Sequence, residues 1–181
     1  NALELGFYRM HVFGADFATE IAGIGFWGEG AVFLPNREVV SETIAGGVPT
    51  RNVELDFEPY GKYTLGFDYT FPFGLYINNQ WMHGFFTERG TDGINDYFFI
   101  SIEQPLFDNA LEISLSTVVE IDDWSSIADN YGLGFFPEIR FVGIDNLEMA
   151  VGMFAADARP DTLFAAWKDL DQVFVRLKVS L

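Results

Sequence analysis

The chain has 181 residues, of which 49% are hydrophobic and 17% aromatic, with 20 Phe and 18 Gly. Its 27 acidic against 10 basic residues give a formal charge of −17, which excludes the basic face a nucleic-acid partner requires. Without cysteine there is neither a disulfide framework nor thiolate chemistry, and no apolar run approaches the ~18 residues of a membrane-spanning helix.

Any membrane crossing would therefore be made by strands closed into a barrel, the only other structure that satisfies its backbone in lipid. The aromatic and glycine content suits strands, and period-two alternation recurs where helical periodicity is scarce. The sequence starts at Asn1, without Met, and enters a strand-like pattern almost at once, so a processed mature form or a fragment is expected.

The first two candidate strands, 3–17 and 21–33, are diluted by glycine, with a turn expected near 17–20. In the first, Tyr8, Met10 and Val12 form one face, which puts Arg9 and His11 on the other. In the second, Ile24, Phe26 and Val32 alternate with Trp27 and Glu29. Residues 35–52 read as a long polar loop. Strand 63–71 sets Tyr63, Leu65, Phe67, Tyr69 and Phe71 against Thr64, Gly66, Asp68 and Thr70. After a turn at 72–74, strand 75–85 sets Leu75, Ile77, Trp81 and Phe85 against Tyr76, Asn78, Gln80 and Met82, with Asn79 and His83 interrupting the apolar face.

Strands 97–106 and 111–121 flank a turn at 107–110 and show Glu103, Glu112 and Glu120 opposite Phe98, Ile100, Ile113 and Val119. Strand 133–141 carries Glu138 and Arg140, a turn spans 143–146, and strand 147–155 carries Glu148 opposite Met149, Val151 and Met153. In the last strand, 171–181, Val173, Val175, Leu177, Val179 and Leu181 oppose Phe174, Arg176, Lys178 and Ser180.

Short turns thus alternate with long loops (35–52, 86–95, 122–130 and 156–170), and aromatics such as Tyr63, Phe71, Trp81, Phe85, Tyr97, Tyr131 and Phe141 gather near strand ends. Both are habits of transmembrane barrels. A soluble sandwich would instead carry a Lys/Glu-rich outer face, whereas the polar face here mixes Gly, Ser, Thr, Asn and Gln with isolated charges.

The run Tyr69-Thr70-Phe71-Pro72-Phe73-Gly74-Leu75-Tyr76, followed by Gln80-Trp81-Met82-His83-Gly84, resembles the strand–turn–strand of bacterial outer-membrane porin-like β-barrels. Asp145-Asn146-Leu147-Glu148, Gly152 and Trp167-Lys168-Asp169 with the closing strand are similar to the C-terminal hairpins of that family. The resemblance spans most of the chain, best over 63–181. It implies an all-β fold, an antiparallel up-and-down transmembrane β-barrel placed as a single domain (1–181) in the bacterial outer membrane, and passive diffusion of small solutes or ions through a polar lumen. The family usually ends on Phe; this chain ends on Leu181.

Nine strands are counted, or ten if 53–57 stands apart from 63–71. Because single-chain bacterial barrels have even numbers, the odd count leads to the expectation that N-terminal strands of a larger barrel are lacking. With the apolar face toward lipid, the lumen is expected to be lined by Arg9, His11, Glu29, Lys62, Asp68, Asn78, Gln80 and Glu103. In the C-terminal half the lining continues with Glu112, Glu120, Glu138, Arg140, Glu148, Arg176 and Lys178. Those charges serve either ion selectivity or cross-strand pairing that fills the lumen.

Among loop carboxylates, Asp122, Asp123 and Asp129, and also Asp157, Asp161, Asp169 and Asp171, offer themselves to Ca²⁺ or to divalent bridging of lipopolysaccharide, although none has EF-hand spacing and solvated charge is the simpler account. No cofactor is expected. The partners implied are outer-membrane lipid and lipopolysaccharide, with a homo-oligomer or a partner protein also compatible. A plugged barrel sheathing another protein is the alternative, and a barrel enzyme a lesser one, for which His11 with Glu29 is the nearest catalytic pair.

Overall fold

The computed structural model describes residues 9–45, 48–160 and 162–180, with the side chains of all but 42–45, 48–52 and 54 among them. Parts of the expected first strand, Asp161 and Leu181 lie outside the described residues. The strands are β1 (Met10–Ile21), β2 (Ile24–Pro35), β3 (Val39–Ala45), β4 (Val48–Leu55), β5 (Tyr60–Thr70) and β6 (Tyr76–His83). They continue with β7 (Asp96–Leu106), β8 (Leu111–Ile121), β9 (Tyr131–Ile144), β10 (Leu147–Ala158) and β11 (Gln172–Val179). Two single 3₁₀ turns, Ile127–Asp129 and Leu163–Trp167, complete the elements.

Nine strands form one antiparallel sheet in the order β1-β2-β5-β6-β7-β8-β9-β10-β11. Each pairs with its chain neighbour except where β3 and β4 intervene. β1 and β11 are its two edges; they run in the same direction, as the ends of an odd alternating series must, and do not pair. The sheet is therefore open.

The stretch expected as a loop at 35–52 contains the separate hairpin β3–β4. Val53, from the strand considered as a tenth, belongs to β4 and adds nothing to the main sheet. The first tight turn falls at Ala22-Gly23, beyond the expected 17–20. Ala22 (φ 55°) and Gly23 (φ 81°) both take left-handed conformations, as in the two-residue turns whose twist matches the flanking strands. β1 therefore continues through Thr19 and Glu20 to Ile21.

Register assigns every side chain to a face, since opposite residues share one. Phe17, Gly28, Leu65, Trp81, Phe98, Val119 and Leu133 stand in one row across the sheet. The neighbouring row, on the other face, reads Asp16, Glu29, Thr64, Met82, Tyr97, Glu120 and Gly132. The apolar face is exposed even on interior strands: Leu65 is 41% and Ile139 51% accessible. On the interior strands the polar face is the more sheltered, with Tyr97 at 4% and Glu120 at 1%, whereas on β1, β2 and β11 polar-face residues such as Asp16, Glu29 and Lys178 are exposed. A single sheet shelters one face by curling toward it, and here Leu163–Trp167 helps by packing on β9 and β10.

Candidate functional site

The sheltered polar face is the candidate site. Glu29, Lys62, Asp68, Asn78, Gln80, Glu103, Glu112, Glu120, Glu138, Arg140, Glu148, Arg176 and Lys178 all share it by register. Two expectations are corrected. His11 pairs with Leu34 and lies on the face of Phe13 and Phe17, because β1 runs in the opposite phase to the one expected. Arg9 precedes β1 in the same phase as His11, its carbonyl accepting from the Asn36 N–H. His11 and Glu29 thus stand on opposite faces, and the pair considered for catalysis is not assembled. Asp16 and Glu20, which the wrong phase concealed, join the polar face instead.

Near the short-turn rim of β8–β11 the charges interlock. Arg140 donates to Glu112 at 2.6 Å. Arg176, opposite Ala150, reaches diagonally across β10 to Glu138 at 2.9 Å and lies 3.5 Å from Glu148, which faces Lys178 on the adjacent strand. Small residues on β10 leave the space: Ala150 stands between Arg140 and Arg176, and the Phe174 ring lies over Gly152, opposite Glu138. Further along the face, Ser101 and Ser116 hydroxyls lie 3.1 Å apart, and the Gln80 amide donates to Asn78 at 3.0 Å.

At the long-loop rim the polar face is closed over. Glu120 accepts from the Leu163 N–H with both oxygens, at 2.7 and 2.9 Å, and from the Asn95 amide at 2.9 Å. The Tyr97 hydroxyl, 3.3 Å from Glu120, also bonds Glu88. A buried carboxylate is tolerable when donors surround it in this way. Phe164, the next residue, lies on Gly132 and Gly134; a Cβ at Gly134 would stand 2.7 Å from its ring. Trp167 meets Phe154 edge-on at 5.4 Å. Glycines at 132 and 134, two apart on the polar face, were the available sequence signal for this seat.

A second unforeseen cluster sits on the apolar face at the same rim. Asp96 accepts from Trp81 at 2.8 Å, His83 at 2.9 Å and Trp124 at 2.6 Å. Tyr63 stacks on His83 at 5.0 Å and Phe98 on Trp81 at 6.1 Å. His83 is thus an oriented member of an aromatic band.

The loop carboxylates behave differently. Asp123 accepts from the Ser125 N–H at 2.8 Å and from both the Ser125 and Ser126 hydroxyls, which hold its carboxyl below the usual range. It braces its own turn. Among the described residues no three His, Cys, Asp or Glu side chains converge as metal ligands, Asp122, Asp123 and Asp129 included.

Comparison with protein-family models, with characterised proteins and with solved structures returns no match. The class defined here is therefore the fold alone: an open, nine-stranded antiparallel meander, apolar on its exposed face and polar on its sheltered one.

Proposed function

We propose that this chain forms the wall of a bacterial outer-membrane β-barrel that acts as a porin-like channel for passive diffusion of small solutes or ions. The observation that carries the proposal is the inversion of exposure. In water, each accessible Leu, Ile or Phe forgoes about 1.5–3 kcal/mol of burial, and here such residues form a continuous face while, on the interior strands, carboxylates such as Glu120 are sheltered. A hydrocarbon surround removes the cost. Lipid-facing apolar residues, a polar interior, short turns on one rim and longer connections on the other make a single consistent pattern. The band of Trp81, His83, Trp124 and Tyr63 at one rim suits the headgroup level.

Backbone groups cannot stay unpaired in lipid, so β1 and β11 must find strand partners in the membrane. The test is reconstitution of the full-length protein into planar bilayers: stable ohmic steps are expected, and a correctly folded protein that gives none refutes the channel. A plugged barrel is the second reading, favoured by the Leu163–Trp167 segment seated on the polar face; conductance that rises only when that segment is released would establish it.

A further inference from the structure

We propose that the lumen favours cations, because the charge on its polar face is balanced in one half and acidic in the other. The inference rests on the channel reading above and adds to it the class of ion that passes.

On β8–β11 near the short turns, Arg140, Arg176 and Lys178 meet Glu112, Glu138 and Glu148. That half presents paired charge and little net field. On β1, β2 and β5–β7 the same face carries Asp16, Glu20, Glu29, Asp68 and Glu103, with Lys62 as the one cation among the described residues of those strands. The Lys62 ammonium is bonded to the Phe85 carbonyl at the rim.

The acids are also set against one another. Asp16 stands directly opposite Glu29. Glu20 and Asp68 are both opposite Gly25, and the Asp68 carboxylate leans over that glycine so closely that a Cβ there would lie 2.7 Å from it. Like charges facing across strands are destabilising, so this arrangement calls for water and mobile cations between them. A hollow of about 470 Å³, lined by Asp16, Glu29, Lys62 and Thr64, gives that room. Among the described residues no three acids converge there as metal ligands; spread over four strands, the acids act as a field along the wall. Wall charge of one sign raises the local concentration of its counter-ion and sets selectivity.

The experiment is the reversal potential of the full-length protein in a planar bilayer under a steep KCl gradient. The wild type is expected to pass K⁺ over Cl⁻ several-fold. The variant D16N/E29Q/D68N, with its sheet content checked by circular dichroism, should bring the ratio toward unity while still conducting. R176Q, which frees Glu138, should leave the cation preference intact or raise it. A wild-type ratio at or below unity overturns the inference, as does an unchanged ratio in the triple variant. Absence of any conductance sinks the channel itself, and the selectivity with it.

Discussion

Replacing Glu120 by Leu should release the segment that covers the long-loop end of the polar face. Two contributions hold its Leu163–Phe164 end there, beside the Trp167–Phe154 contact at the other end. Shelter of the Phe164 ring on Gly132 and Gly134 contributes about 1.5–3 kcal/mol, and the Leu163 N–H bond to an ionised carboxylate contributes roughly as much, about 1.5–3 kcal/mol. Together they keep the segment open in only about one molecule in 10² to 10⁴, at about 1.4 kcal/mol per decade. E120L removes the second contribution and leaves the Asn95 amide without its acceptor, while the Tyr97 hydroxyl keeps Glu88. Hydrogen exchange of the Leu163 amide should then quicken by about one to two decades, while amides in the β7–β8 ladder keep their protection. E120Q, which retains one acceptor oxygen, should fall between the two. Unchanged Leu163 exchange in E120L would show that the aromatic contacts of Phe164 and Trp167 hold the segment and that Glu120 is no latch. Loss of protection throughout β7 and β8 would show instead that the carboxylate stabilises the sheet.

Three further outcomes follow from the same geometry. Leu65→Arg, at the centre of β5 on the exposed face, should cost about 2–4 kcal/mol in bilayer-folding titrations; a neutral effect would mean that this face meets water. A double-mutant cycle on Arg176 and Glu138 should give a coupling of no more than about 1 kcal/mol, because the Arg176 side chain is 48% accessible, and a much larger value would place the pair in a drier environment than its exposure indicates. The Asp123 carboxyl is held low in the folded loop, so its contribution is present above the ordinary carboxylate pKa and is lost as pH falls through the lower, folded value. Protection of the Ser125 amide should accordingly fade only in strongly acidic solution and be absent at all pH in D123A; fading near neutrality would contradict the bracing of that turn.

Much of the sheet was legible because alternation is a direct consequence of strand geometry: from Leu65 to Ile139 the residues expected on the apolar face of β5–β9, such as Leu65, Trp81, Phe98, Val119 and Leu133, share one face, although Phe99, Val118 and Phe136 stand on the other. Where glycine and aromatics occupied both phases, the pattern lost its direction. Met10 and Val12 outweighed Phe13, Phe17 and Ile21 in the expectation for β1, and one wrong phase exchanged Arg9 and His11 for Asp16 and Glu20. β3–β4 was missed because its polar face and its Pro49 suggest a loop, although Gly46-Gly47 between two Val-bearing runs is a hairpin signal. Pairings that depend on several strands at once, such as Glu120 with Leu163 or Asp96 with Trp124, leave no periodic trace. The charge ladder of Arg140, Arg176 and their glutamates was foreseeable only because its members sit on neighbouring strands of known parity.

The neighbour-to-neighbour order of the main sheet bears on how it is made. Every ladder except β2–β5 joins strands linked by a single connection, so mean contact separation along the chain is small for an all-β protein, and small contact separation favours fast folding. Growth by successive hairpins needs no long loop to close, and loop-closure entropy is met in small steps. Joining the two edges is a different event, since β1 and β11 lie at opposite ends of the described chain. Assembly should therefore show a fast phase of sheet growth and a separate, slower phase of edge capture, the second sensitive to whatever supplies the partner strand.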